Sequence, residues 1–291
     1  TTEIYTLSLH DALPIFNWSS FGTGTAMSAA MASGDIDLSV SQGVPPFIVA
    51  ASTGQDLQIV DVAVSYADND NCVVASALEI DASNASELAG LKVSVPIGTA
   101  AHYGYLKQMS HFGVDVASMQ VVDMAPPEGA AAFAQGSVDV FCGWGGSLRR
   151  ALEHGNVLLT GAEKTALGIL VWDVTSTTAQ FANENAEVLA TFLGVTAAAN
   201  AMWNSGGFTS LMLPHIARDA GMDEAATLDT MSTFVFPSVS SQLSSAWLGG
   251  SGITFLKGVA DVFVNAGEIS SARGSYAGAV NTDGLNAVAS Q

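Results

Sequence analysis

An internal repeat at a spacing of 102 residues constrains this chain more than any other feature. The segment from Ala29 to Gly43 aligns with that from Ala131 to Gly145. The identical pairs are Ala29/Ala131, Ala30/Ala132, Ala32/Ala134, Gly34/Gly136, Asp37/Asp139 and Gly43/Gly145. Each copy reads as a helix closed by glycine, a short apolar strand, and a glycine-containing loop that leads into another helix. A shared element order predicts two similar α/β lobes. Open α/β sheets bind ligands beyond the carboxyl ends of their strands. Ser41-Gln42-Gly43 and Gly143-Trp144-Gly145 then stand at equivalent strand ends, one per lobe.

Between the two copies lies Val93-Ser94-Val95-Pro96-Ile97-Gly98-Thr99-Ala100-Ala101-His102-Tyr103-Gly104-Tyr105-Leu106. It reads as an apolar strand broken at Pro96 and Gly98, then a helix with Thr99 as N-cap. Such a junction leaves backbone N–H groups at a positive helix end, where a small anion can bind. The chain carries 8 Lys and Arg against 27 Asp and Glu, for a formal net charge of −19. That argues against nucleic acid or an anionic membrane as partner. It also means that an anion must be held by local dipoles, or must bring its own positive charge.

The other elements follow from pattern. Phe16 to Phe21 reads as a strand, Ala26 to Ser33 as a helix, and Ile36, Leu38 and Val40 as an alternating strand. Leu57 to Val64 is a strand, Ser65 to Asn71 a polar loop, and Cys72 to Ala75 a strand again. Ile169 to Ser176 is a strand with one acid inside, Asp173. From Ala179 onward the chain is mostly helical, and no apolar run approaches the roughly 20 residues that cross a membrane. Residues 1–15 have no basic start and no long apolar core; they resemble translated sequencing-adapter sequence and are set apart from the fold.

No Gly-x-Ser-x-Gly, His-Glu-x-x-His, P-loop or G-x-G-x-x-G motif is present, so no catalytic set, metal or cofactor is expected. Thr99 and Ala100 offer donors to a ligand, or serve only as a cap. His102, one turn into the helix, either reaches a ligand or is a satisfied helix histidine. Trp144, flanked by glycines, suits the wall of a small pocket. Asp173 would cost several kcal/mol buried alone, so it needs a ligand ammonium, Arg149 or Arg150, or backbone N–H groups. Asp70 in the polar loop contacts a ligand or is solvated. Cys72 and Cys142 have no metal spacing; they form one disulfide or stay as two buried thiols.

Met27 to Asp37, Ser41-Gln42-Gly43, Val93 to Tyr103, Asp123 to Pro126, Cys142 to Gly146, Leu148 to Asn156 and Trp247 to Gly250 resemble the substrate-binding proteins of ABC importers for taurine and related sulfonates. The similarity is collinear from about Phe16 to the C-terminus. It implies an α/β, two-lobed periplasmic-binding-protein fold of the second type, with its first strand and helix missing from this chain. The lobes are expected at residues 16–83 plus 168–291 and at 84–167. The resemblance implies a small sulfonate clamped between the lobes, near Gly98-Thr99-Ala100 and Ser41-Gln42, with Trp144 beside it and Asp173 on an amine. The expected binding set is thus Ser41, Gln42, Asp70, Thr99, Ala100, His102, Trp144 and Asp173. A monomeric periplasmic protein that delivers to an inner-membrane permease is implied. The alternatives are an enzyme of the related pyrimidine-precursor branch, with His and Cys chemistry, and the binding lobe of a sensor.

Overall fold

The computed structural model describes residues 16–291; the adapter-like residues 1–15 lie outside the described residues. Phe16 to Phe21, expected as a strand, has no regular secondary structure. Its ends pack through Phe16 and Trp18 on Phe192, with ring centroids 5.3 and 6.3 Å apart. Side-chain contacts hold this segment in place of strand pairing.

The first copy of the repeat comprises helix α1 (Gly24–Ser33), strand β1 (Leu38–Gly43) and helix α2 (Val44–Ser52). Gly34 closes α1 at φ 79°. Strand β2 (Leu57–Tyr66) is followed after three residues by β3 (Asp70–Ala75). The expected loop from Ser65 to Asn71 is therefore mostly strand. Strand β4 (Lys92–Ser94) turns at Gly98 (φ 76°) into α3 (Ala100–Phe112), capped at its start by Thr99 and at its end by Gly113. Strand β5 (Gln120–Val122) precedes the second copy: α4 (Pro126–Ala134), β6 (Val140–Trp144) and α5 (Gly145–Leu152). Gly136 repeats the left-handed turn at φ 69°. In both copies the strand runs straight into the next helix with no intervening loop.

Strand β7 (Gly155–Val157) and helix α6 (Gly161–Ala166) lead to β8 (Trp172–Thr178). Helices α7 (Ala179–Glu184), α8 (Ala186–Asn204), α9 (Thr209–Ala220) and α10 (Glu224–Ser232) follow, then β9 (Phe234–Val235), α11 (Val239–Gln242), α12 (Ser251–Asn265) and α13 (Asp283–Ala289). Helix α8 is long and apolar enough to cross a membrane by length and composition alone. The sequence estimate missed it because its hydropathy is spread over alanines and single large residues. Leu189, Phe192 and Leu193 of α8 lie in the first core.

The strands form two sheets. One has the order β1-β8-β2-β9 and is antiparallel throughout; the other has the order β5-β4-β6-β3-β7. In the second sheet β4 is parallel to β5 and β6, while β3 runs antiparallel to β6 and β7. Strand β3, which a lobe boundary at residue 83 leaves in the first lobe, belongs to the second sheet. The chain crosses between sheets at residues 67–69 and returns between β7 and β8. Composition marks a boundary poorly here, because the crossing is three residues long and both flanks are strand.

One core holds Phe47, Ile59, Val62, Val174 and Phe192 with Leu256, Val259 and Phe263 of α12. The second sheet is buried on both faces. Val74, Val93 and Val140 join Tyr105 and Met109 on one side, and Val73 and Phe141 join Phe133 and Leu148 on the other. That two-residue period is strand geometry. It also puts Cys72 opposite Cys142 in the β3–β6 register, where they form a disulfide. The choice left open by sequence is thus decided by strand pairing.

Candidate functional site

Two register pairs mark where the sheets meet. Gly43 at the end of β1 pairs with Asp173 of β8, and Trp144 at the end of β6 pairs with Asp70 of β3. The repeat matches Trp144 to Gln42, one residue before Gly43, so each sheet carries an acid within one residue of the repeated strand end. Between them lies a cavity of about 280 Å³, lined by Ser41, Tyr66, Asp70, Thr99, Trp144 and Asp173 among others. A larger cleft of about 420 Å³ opens beside edge strand β1 and is lined by Phe16, Trp18, Ile36, Leu38 and Phe192. It gathers none of the residues expected at the site.

Four helix starts converge on the smaller cavity. Its wall includes Thr23 and Gly24 at the start of α1, Gly43 before α2, Thr99 and Ala100 at the start of α3, and Trp144 before α5. The Thr99 side chain accepts from the His102 amide and donates to the Pro96 carbonyl at 2.6 Å, which fixes the turn. The first amides of each helix have no partner within the helix. Among the described residues, no Lys, Arg or His lines the cavity. An anion here would be met by helix dipoles and amides rather than by a basic side chain.

Asp173 is held from two sides. Ser41 Oγ donates to Oδ2 at 2.9 Å and the Tyr66 hydroxyl donates to Oδ1 at 3.0 Å. Ser41 does this from a left-handed backbone at φ 59°, within an irregularity of the β1–β8 register. It therefore sits in a bulged strand, not in a loop beyond one. Burial pushes the Asp173 carboxyl up to about 7, against the two hydrogen bonds that favour its charge. Arg149, named as a possible partner, instead donates to Thr230 and Ala226, and Arg150 reaches Ser147. Helix α5 carries both arginines away from the cavity.

Asp70 is buried, not solvated. Burial pushes it up to about 7, with Lys164 pulling the other way and the charge of Asp173 adding to the rise. The Lys164 ammonium donates to the backbone carbonyls of Ala67 and Asp70, and not to the carboxylate. Tyr66 is raised well above the ordinary phenol range, first by burial and then by both acids.

Gln42 and His102 lie outside the cavity wall. Gln42 donates to Gly24 O at 2.9 Å and Ser28 Oγ at 2.7 Å, and accepts from Ser176 Oγ. It fixes the start of α1 against β8. His102 accepts from the Gly98 amide on Nδ1 at 3.2 Å and stacks on Phe263 at 5.6 Å. Burial lowers it to about 4, so it is neutral and supports the turn from behind. Strand and helix periodicity place these side chains on the inner faces, which position counting from the motif did not anticipate.

Sequence reasoning missed Thr23, Gly24, Tyr66 and Phe234, all in the wall. The Gly22-Thr23-Gly24-Thr25 turn carried a usable signal, since it starts a helix as Gly98-Thr99 does. The two starts meet across the cleft: a Cβ on Gly98 would lie 3.8 Å from Thr25 Oγ1. Phe234 carried no signal, and reaches the site by packing on Tyr66 at 5.5 Å.

A family profile described as "NMT1/THI5 like" matches residues 21–204. The taurine-binding periplasmic protein of Escherichia coli K12 is 26% identical over 176 residues, covering 60% of this chain and 53% of that protein. The chain spans about half the length of the curated relatives it matches. Among solved structures, the periplasmic aliphatic sulphonate binding protein SsuA from Escherichia coli superposes with a TM-score of 0.71 at 22% identity, covering 93% of this chain and 84% of that one. The alkanesulfonate-binding protein SsuA from Xanthomonas axonopodis pv. citri, bound to MOPS, gives 0.71 at 21% identity, with 92% and 88% covered. The fold is that of the periplasmic binding proteins, as expected.

Proposed function

This chain belongs to the NMT1/THI5-like family, and we propose that it is the substrate-binding component of an ABC importer for a small sulfonate, taurine or a close analogue. The observation that carries this is the convergence of four helix starts on one cavity that, among the described residues, has no basic side chain but has carboxylates on its wall. Amides at Thr99-Ala100 and Thr23-Gly24 suit the sulfonate, which needs donors without a competing counter-ion. Asp173 suits an amine at the other end, and a zwitterion is not repelled by the net charge of −19. Named relatives that bind taurine and sulfonates support the same class.

The lobes are residues 16–69 with 168–291, and 70–167, closing on the ligand about the two crossings. The Cys72–Cys142 disulfide suits an oxidising compartment, the periplasm. Ligand-loaded protein would be recognised by a membrane permease. The enzyme alternative loses its nucleophile, since Cys142 is disulfide-bonded and His102 is buried behind the helix start. Calorimetric titration with taurine, ethanesulfonate, nitrate and glycine tests the proposal. Heat with a sulfonate and none with glycine is expected; no heat with any sulfonate would overturn it.

A further inference from the structure

Asp70 Oδ2 is fully buried and has no hydrogen-bond partner among the described residues, although Asp70 lines the cavity. A buried carboxylate oxygen left unpaired carries an uncompensated desolvation penalty when charged. The charge of Lys164 offsets part of this cost, but Lys164 makes no hydrogen bond to the carboxylate. Lys164 is the basic group beside it, and that ammonium is taken up by two backbone carbonyls. The main chain of Asp70 is fixed by register with Trp144, and Gly145 N donates to Asn69 O at 3.1 Å. On its other side Gly104 of α3 brings no side chain; a Cβ there would come within 3.9 Å of Asp70 Oδ1. The carboxylate is thus held in place by its backbone, with one oxygen unsatisfied beside a cavity whose wall includes a second carboxylate.

We propose that Asp70 is a second counter-ion for the ligand's cation, facing Asp173, and that the pair restricts the site to sulfonates bearing a protonated amine. This rests on the sulfonate reading above. Asp173 has both oxygens engaged by Ser41 and Tyr66, whereas Asp70 Oδ2 has none. An ammonium has three N–H donors and no acceptor. It can satisfy Asp70 and still reach a free lone pair on Asp173, which no neutral alkyl tail can do. A sulfonate without an amine would leave Asp70 unpaired beside another acid and would add a negative charge. Sites that need a hydrogen-bonding group reject analogues that lack it far more strongly than sites that only exclude bulk. The ionisable groups around Asp70 are Asp173 on β8, Tyr66 on β2 and Lys164 on α6, with Asp68 beside Lys164. Burial leaves both acids partly protonated near neutral pH in the empty site, so an arriving ammonium drives protons out of it.

Titration calorimetry of the wild type and of Asp70→Asn with taurine and with ethanesulfonate, each in two buffers of different ionisation enthalpy, tests this. The wild type is expected to favour taurine by at least about tenfold and to release protons with taurine only. Asp70→Asn is expected to lose most of that preference by weakening taurine while ethanesulfonate holds or gains. An unchanged preference in Asp70→Asn, or an equal loss for both ligands, would overturn the role of Asp70 while leaving sulfonate binding intact. Proton release on the wild type needs no variant, and its absence with bound taurine counts against the pair. Failure of the wild type to bind either ligand removes the sulfonate reading and this inference together.

Discussion

Ser41 donates to Asp173 Oδ2 at 2.9 Å from a backbone held at φ 59°, so a residue that hydrogen-bonds this buried acid is itself strained. A non-glycine residue in that region costs about 1–2 kcal/mol. The strain is tolerated because the register irregularity in β1 aims the hydroxyl at the carboxylate.

Ser41→Ala removes the donor and keeps the strain; Ser41→Gly removes the donor and relieves it. Loss of a hydrogen bond to a charged group costs about 1.5–3 kcal/mol. Ser41→Ala is expected to be the less stable variant in urea unfolding, by about 1 kcal/mol. Equal midpoints would mean the backbone carries no strain there.

Ligand-free stability is expected to fall as pH rises from about 4 to about 7. Asp70 and Asp173 sit near 7 in the fold, against an ordinary carboxylate value of 3.8. In that window the two folded carboxyls hold protons that the unfolded chain has lost, which favours unfolding as pH increases; His102, lowered to about 4, opposes this in part without cancelling the two acids. Asp61, raised by burial, acts in the same direction. Thermal melts of the wild type and Asp173→Asn across the window should show a shallower fall for the variant. Parallel curves would contradict the raised values.

Reduction of Cys72–Cys142, or replacement of both by alanine, is expected to lower unfolding free energy by about 2–4 kcal/mol, given a sequence separation of 70 residues. The bond ties β3 to β6, the strands that carry Asp70 and Trp144 into the cavity. Urea midpoints with and without reductant check this; a coincident pair would show the bridge adds nothing to strand pairing.

Gly24→Ala pits helix propensity against packing. Alanine gains up to about 1 kcal/mol inside a helix. Here its Cβ would lie 2.5 Å from Pro46 Cγ and 3.3 Å from Gln42 Cγ, and a proline ring cannot move aside. Overpacking costs about 1–3 kcal/mol, so net destabilisation and weaker ligand binding are expected. Gly22→Ala, with nothing within 4 Å among the described residues, is the control and should unfold like the wild type.

Much of the fold was legible because it is encoded locally. Gly34, Gly98, Gly113 and Gly136 all adopt the positive φ that the sequence places at helix ends and turns. The repeat of helix, strand and helix is present in both sheets. Motif position brings Gln42 and His102 near the ligand, yet both side chains face inward and hold the turns that shape the cavity. Position along a motif tells which turn a residue occupies; its face depends on which neighbour packs against it.

The sequence by itself determined two α/β units, the helix start at Thr99, and an excess of acid that requires any anion to be held by dipoles or to bring its own positive charge. Only the tertiary structure decided that β3 crosses into the second sheet, that Cys72 meets Cys142, and that Asp70 and Asp173 share one cavity. The first set follows from hydrogen bonding and periodicity within a few residues. The second depends on strand pairing between segments from about 70 to more than 100 residues apart, and on burial that no single stretch of chain creates alone.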